Sequence, residues 1–158
     1  PGGPWVAARA RVPHEAGGRW GMEEPRERAA RAFVAALPFA RALGLRLGRA
    51  GGDGVEIEMP WDARLVGDPA TGVLHGGAVS ALLDTASGAA VLLHPDVPGG
   101  TATLGLRVDY LRAARPGEAV TAWAECRHVT RTVAFVRAVA RDSGGAFAEA
   151  VGRFTVER

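Results

Sequence analysis

The sequence predicts an α+β fold in which an antiparallel sheet packs against one long buried helix. Residues 76–93 read GGAVSALLDTASGAAVLL, with no proline and with apolar or small residues on nearly every side, which is typical of a helix enclosed by other backbone. Four segments with alternating apolar residues follow this helix. Because these strands do not alternate with helices, an antiparallel sheet is favoured over a parallel one.

The elements before the long helix follow from the same kinds of pattern. Residues 23–36 begin with acids and a proline and carry an apolar stripe, which predicts an amphipathic helix. Pro38 interrupts that helix, and a short second turn ends before Gly44. Alternating apolar residues on either side of the GGDG sequence predict a β-hairpin over residues 45–59. Prolines and glycines predict a loop over residues 60–74.

The strands after the long helix are separated by two turns, at RPGE and SGG. We predict strands over residues 103–110, 120–126, 133–139 and 147–156. In the first of them, strict alternation predicts one face made of Leu104, Leu106, Val108 and Tyr110, and an opposite face made of Thr103, Gly105, Arg107 and Asp109.

Length and composition bound the organisation of the chain. Its 158 residues suffice for one compact domain, which we place at residues 22–158. Residues 1–21 are rich in glycine, proline and arginine without periodicity, and we predict a flexible leader there, or an extension upstream of a start at Met22. An organellar targeting peptide is the alternative for this segment.

Charge and cysteine content narrow the classes of function. The net charge is only +2 and the arginines are spread along the chain, which argues against nucleic-acid binding. Cys126 is the single cysteine, so no intrachain disulfide forms and a cytoplasmic location is predicted. No apolar run is expected to reach the roughly 18–20 residues that span a bilayer, so no membrane role is predicted. Cys126 and His128 lack a second ligand pair, so neither a zinc site nor another metal cofactor is predicted.

Asp84 and a glycine pair are the candidates for chemistry. Asp84 lies in the middle of the apolar helix, where a carboxylate needs a hydrogen bond, a cleft or a proton. It is either a general base or nucleophile, or a structural acid bonded to Ser80 or Gly88. Gly76 and Gly77 precede the helix, so their amides can form an oxyanion hole or simply an entry loop.

Neighbouring polar residues invite two other interpretations. His75 can polarise a carbonyl or serve a structural hydrogen bond. A triad of His75, Ser80 and Asp84 is rejected, because the chain has no GxSxG elbow and all three residues fall within ten positions. Phosphate-binding loops of the GxxxxGK[ST] type are also absent from the sequence.

The motifs GVLHGG and LLDTASG, followed downstream by YLRAARPG, resemble the PaaI-like acyl-CoA thioesterases of the hot-dog superfamily. The resemblance covers residues 40–156 and implies a long helix wrapped by a curved antiparallel sheet, in a homodimer or homotetramer with active sites at the dimer interface. It further implies that Asp84 activates water or attacks the thioester, that the Gly76 region polarises the carbonyl with His75 just before it, and that Thr103 helps to hold the water.

Four residues are candidate contacts for substrate: Asp68, Ser80, Arg127 and Arg131. Many members of the family carry an asparagine before the glycine pair, and Asp68 is its nearest counterpart here. Since an ionised aspartate donates no hydrogen bond, Asp68 is either a second carboxylate of the site or a turn residue before Pro69. Arg127 and Arg131 are candidates for contacting nucleotide phosphates, or are exposed arginines at strand ends.

The sequence thus predicts hydrolysis of an acyl-CoA or related acyl thioester to the free acid and thiol, without a cofactor. A thioester carbonyl is already electrophilic, so a base and an oxyanion hole suffice. Two alternatives stay open: a non-catalytic acyl-CoA-binding protein, and a hot-dog hydratase or dehydratase. The acyl group is left open between aryl-acetyl, hydroxybenzoyl and medium-chain fatty groups.

Overall fold

The computed structural model describes residues 25–51 and 54–157, so the predicted leader at 1–21 and the tip of the predicted hairpin lie outside the described residues. The helices are α1 (Pro25–Ala36), α2 (Pro38–Ala42) and α3 (Gly76–Leu93). The strands are β1 (Arg46–Gly51), β2 (Gly54–Met59), β3 (Val66–Asp68), β4 (Val73–Leu74), β5 (Thr103–Tyr110), β6 (Val120–Val129), β7 (Val133–Asp142) and β8 (Gly145–Thr155).

Six of the strands form one antiparallel sheet in the order β1-β2-β6-β7-β8-β5. Helix α3 packs against this sheet, and α1 packs against α3. The predicted α+β fold, a long buried helix against an antiparallel sheet, is therefore confirmed. The predicted loop over residues 60–74 is only partly a loop, because it contains a 3-10 turn and the small β3–β4 ladder. Strands of two or three residues are too short to produce a periodic pattern.

Helix α3 forms the centre of the core. Eleven of its eighteen residues are buried, including Leu82 and Leu83, which pack with Ile57, Phe147 and Phe154 of the sheet. With a mean hydropathy of 1.4 over 18 residues, α3 does reach the length and composition of a membrane span, which corrects the expectation that no segment would. Since 61% of the helix is buried inside the protein, its apolar character is explained by the core it fills.

Strand β5 lies at one edge of the sheet and contains a bulge between Thr103 and Gly105. The bulge corrects the predicted faces of this strand. Thr103 pairs with Phe154, which is buried on the helix side, whereas Gly105 pairs with Arg153 on the opposite side. Leu104, predicted to share a face with Leu106, Val108 and Tyr110, is 59% exposed. An extra residue in one strand changes which side chains face the core, and here it turns Thr103 toward α3.

A buried carboxylate ties the loop after β5 to the turn between β7 and β8. Both oxygens of Asp142 accept hydrogen bonds from the Arg112 guanidinium, at 2.6 and 2.8 Å, and the amides of Arg115 and Gly144 donate to the same carboxylate. The Asp142 side chain is fully buried. The hydrogen bond from Arg112 holds the pKa of Asp142 well below its usual range. This network fixes the end of β5 that follows Tyr110.

We expect Asp142→Asn to lower the melting temperature by roughly 5–10 °C, because it removes charge-assisted hydrogen bonds from a buried group. Since the folded-state pKa is depressed, the stabilisation is complete above the unfolded pKa of about 4 and is lost as the pH falls below it. The difference between variant and wild type should therefore shrink at acid pH. Thermal unfolding between pH 3 and 7 measures it.

Asp109→Asn is the matched control, because Asp109 forms an exposed ion pair with Arg107 at 2.9 Å. Exposed pairs contribute little, so this variant should shift the melting temperature by no more than about 1 °C. Equal losses for the two variants would contradict the assigned role of Asp142.

Candidate active site

The N-terminus of α3 is capped by His75. Its Nδ1 accepts a hydrogen bond from the Gly77 amide at 2.9 Å, and its backbone oxygen accepts from Ala78 at 3.0 Å. Gly77 was predicted to offer its amide to substrate, but that amide is already occupied by His75. The Gly76 amide forms no hydrogen bond to any described residue. Gly76 is thus the free donor at the positive end of a long helix.

Asp84 lies half-buried on the middle turns of α3, on the side that faces β5. The Thr103 hydroxyl donates to its Oδ1 at 2.8 Å. Neither structural alternative, a hydrogen bond to Ser80 or to Gly88, is formed among the described contacts. No hydrogen bond to Oδ2 occurs within the described residues, so that oxygen can accept from a water or attack an electrophile. The bulge in β5 is what brings Thr103 into reach.

Ser80 does not serve the carboxylate; it bonds to Tyr110 of β5. The Tyr110 hydroxyl donates to the Gly76 carbonyl at 2.6 Å and lies 2.8 Å from the Ser80 hydroxyl. A phenol has one proton, which goes to Gly76, so Ser80 donates to Tyr110. The sequence pattern predicted Tyr110 only as part of one face of a strand, so this contact was not predicted. The one indication in the sequence was a phenol among aliphatic residues, at the end of that face of the predicted strand.

A single chain does not bring Asp84 and Gly76 together. Asp84 follows Gly76 by eight residues on the same helix. At 1.5 Å per residue this is about 12 Å along the axis. A base and an oxyanion donor must both lie within about 3–3.5 Å of one reacting carbonyl group. Asp84 and Gly76 of one α3 therefore cannot act on the same thioester.

Asp68 is a turn residue in the single chain. Its Oδ2 accepts from the Thr71 hydroxyl at 2.7 Å and its Oδ1 from the Ala70 amide at 3.0 Å. The hydrogen bond from Thr71, and then that from the Ala70 amide, lower the pKa of Asp68. The carboxylate is exposed and engaged by its own loop, which fits the turn interpretation.

The two candidate arginines lie in different places. Arg127 pairs with Glu125 at 2.9 Å and lines a groove of about 740 Å³ on the sheet face opposite α3, together with Phe135 and Val151. Arg131 lines a separate cleft of about 460 Å³ beside Pro95. Neither cavity contains Asp84 or Gly76.

Within residues 25–51 and 54–157, no group of three histidine, cysteine or acidic side chains could hold a metal ion. Cys126 is partly buried, and its Sγ contacts the His128 backbone oxygen at 3.9 Å. Burial raises the pKa of the Cys126 thiol, which lowers the thiolate fraction that a nucleophile or metal ligand needs.

Comparisons with known proteins show the family to which the chain belongs. The family model of the thioesterase superfamily matches residues 71–148, which include His75, Asp84 and Thr103. The medium/long-chain acyl-CoA thioesterase YigI of Escherichia coli is 32% identical over 118 residues, covering 66% of this chain and 76% of that protein.

Solved structures show the same architecture. A thioesterase family protein from Silicibacter pomeroyi has a TM-score of 0.74 at 28% identity, covering 82% of this chain and 96% of that one. The PaaI protein from the phenylacetic acid degradation operon of E. coli has a TM-score of 0.75 at 20% identity, covering 84% and 94%, and supports the fold alone. The chain therefore belongs to the thioesterase superfamily, has the hot-dog fold that its resemblance to the PaaI-like thioesterases implied, and is a thioester hydrolase.

Proposed function

We propose that the protein hydrolyses acyl-CoA to the free acid and CoA, with Asp84 as the general base or nucleophile. The observation that carries the proposal is the Asp84–Thr103 pair, a half-buried carboxylate held at 2.8 Å by a hydroxyl from the edge strand. Donation from Thr103 fixes the rotamer of the Asp84 side chain. The second carboxylate oxygen is left to face the substrate.

The reaction follows from these groups. The Gly76 amide donates to the thioester oxygen, which draws electrons from the carbonyl carbon. A water whose proton passes to Asp84, or Asp84 itself, adds to that carbon and gives a tetrahedral oxyanion. The oxyanion collapses with cleavage of the C–S bond, and CoA leaves as a thiolate. If Asp84 attacks, the product is a mixed anhydride, which one water then hydrolyses to the free acid and the Asp84 carboxylate.

The active unit in this proposal is a homodimer, because Asp84 and Gly76 of one chain are too far apart to share a carbonyl. A second copy, related by a twofold axis, places its Gly76 opposite Asp84 of the first and so completes two equivalent sites. Strand β5 is the proposed contact. It forms one edge of the sheet, and the exposed apolar side chains of Leu104, Tyr110 and Leu111 lie along it and just beyond it.

The acyl group is proposed to be a medium or long fatty chain, by similarity to YigI. Arg127 and Arg131 stay candidates for the CoA phosphates, although they line different cavities. A homotetramer and a cytoplasmic location likewise stay proposals.

Thiol release from acyl-CoAs of graded chain length and aromaticity tests the activity. Tight binding without release would favour the binding protein, and reversible addition of water to an enoyl-CoA would favour the hydratase.

Complementation between two inactive variants tests the shared site. Asp84→Asn and Gly76→Pro chains carrying different tags are co-expressed, and the heterodimer is purified on both tags. One of its two sites then combines both defects and the other has none, so we expect about half of the wild-type activity per dimer. Each parent homodimer should stay inactive. A heterodimer no more active than its parents means that each site lies within one chain.

A further inference from the structure

The peptide group between Gly76 and Gly77 is held by side chains at both of its ends. Its carbonyl accepts from the Tyr110 hydroxyl at 2.6 Å, and its N–H donates to His75 Nδ1 at 2.9 Å. The preceding peptide group, between His75 and Gly76, is held only through its oxygen, which accepts from the amides of Ala78 and Val79 at 3.0 and 3.4 Å. The N–H of that preceding group is the free Gly76 donor.

Two consecutive glycines give this turn of the chain little intrinsic stiffness. Without a Cβ, glycine reaches backbone conformations closed to other residues, so a glycine pair does not fix the direction of its own amides. A donor that must meet a developing oxyanion needs a fixed direction, because electrostatic stabilisation depends on preorganised geometry. The hydrogen bonds from Tyr110 and to His75 supply that rigidity at the peptide next to the donor.

Gly76 also gives Tyr110 the room to approach. A Cβ added at Gly76 would lie 3.2 Å from Tyr110 Oη, closer than such a carbon normally comes, and 3.4 Å from Cζ. The phenol is in turn oriented by Ser80, whose hydroxyl donates to it at 2.8 Å. Ser80, Tyr110 and the Gly76 carbonyl thus form a chain of hydrogen bonds in which each donor strengthens the next.

We infer that Tyr110 is a positioning residue for the reaction, which acts by fixing the peptide adjacent to the Gly76 amide, and that Ser80 orients its hydroxyl. The inference rests on the proposed function, because it assigns a purpose to the oxyanion donor. Tyr110 does not touch the reacting atoms in this account. Its effect on the transition state therefore passes through Gly76 alone. The energetic coupling between substitutions at Tyr110 and at Gly76 tests the inference.

The test is a double-mutant cycle between Tyr110→Phe and Gly76→Pro. The proline substitution removes the N–H donor at position 76. Tyr110→Phe keeps the ring and loses the hydroxyl, and we expect kcat to fall about 5- to 20-fold with KM changed less than twofold. In the Gly76→Pro background the same substitution should lower kcat less than twofold, because no donor is left to position. Gly76→Ala is the matched background, because it brings the same Cβ toward Tyr110 but keeps the donor, and there Tyr110→Phe should still lower kcat more than twofold. Equal fold-losses from Tyr110→Phe in the wild-type and proline backgrounds, or no loss in the alanine background, would overturn the inference.

Substitutions at Ser80 test the inference independently of the double-mutant cycle. Ser80→Ala should lower kcat by about 2- to 5-fold, and Ser80→Thr, which retains a hydroxyl, should restore most of that loss. Ser143→Ala is the matched control, since its hydroxyl bonds to Glu118 at a surface turn and should leave kcat unchanged.

The outcomes separate the inference from the proposed function. A wild-type protein without thiol release on any acyl-CoA refutes the function and the inference with it. A wild type that is active and sensitive to Gly76→Pro, but unaffected by Tyr110→Phe, refutes the positioning role alone.

Discussion

Asp84→Asn is expected to lower kcat for acyl-CoA hydrolysis by about 10³-fold, within the range for losing a general base. The amide is nearly the same shape as the carboxylate, and its oxygen can still accept the hydrogen bond from Thr103. What it loses is the ability to take a proton from water or to attack the carbonyl. Thiol release under saturating acyl-CoA measures the effect, with KM expected to change little because the ground state is bound as before.

Two further variants test whether the loss of activity in Asp84→Asn is specific to this carboxylate. Asp109→Asn removes a carboxylate from the same edge strand as Thr103, but from an exposed ion pair, and should keep wild-type activity. Thr103→Val removes the donor to Asp84 while keeping the side-chain volume, and should lower kcat about tenfold, less than loss of the carboxylate itself. If Asp84→Asn retains more than a tenth of the activity, Asp84 is neither base nor nucleophile.

The sequence predicted the large elements because their patterns are local. Helix α3 is a long, mostly apolar segment without proline, and β2, β6, β7 and β8 alternate over much of their length, so burial and period largely coincide. The same reasoning failed at β5, where the bulge after Thr103 breaks the period. A bulge is set by pairing with β8 and by packing on α3, and neither is visible in the order of residues along one strand.

The individual residues of the candidate site could be predicted from the sequence, but the distances and contacts between them could not. Asp84 and Gly76 stood out by chemistry and position, yet their separation of about 12 Å along α3 appears only when the helix is built. The Gly77 amide was grouped with the Gly76 amide because the sequence gives no way to tell two adjacent glycines apart. His75 distinguishes them by accepting from Gly77 alone. Tyr110 was missed because its partner lies 34 residues away.

Gly76→Pro is expected to lower kcat by about 10²- to 10³-fold, because it deletes the proposed oxyanion donor. It also brings a Cβ toward Tyr110, which the alanine control accounts for. Gly76 is the first residue of α3, a position that tolerates proline because its amide has no partner within the helix. His75 has φ −64° and ψ 134°, the extended conformation that a following proline requires. The ring should therefore fit the native backbone, and the melting temperature should change little.

Gly76→Ala is the control that isolates the N–H, because alanine carries the same Cβ toward Tyr110 but keeps the donor. Its Cβ would lie 3.2 Å from Tyr110 Oη, so some loss of activity is expected from displacement of the phenol. The ratio of kcat between the alanine and proline variants then reports the amide alone, and we expect about 10²-fold. A ratio near one would show that the contact with Tyr110, and not the donated hydrogen bond, accounts for the loss at this position.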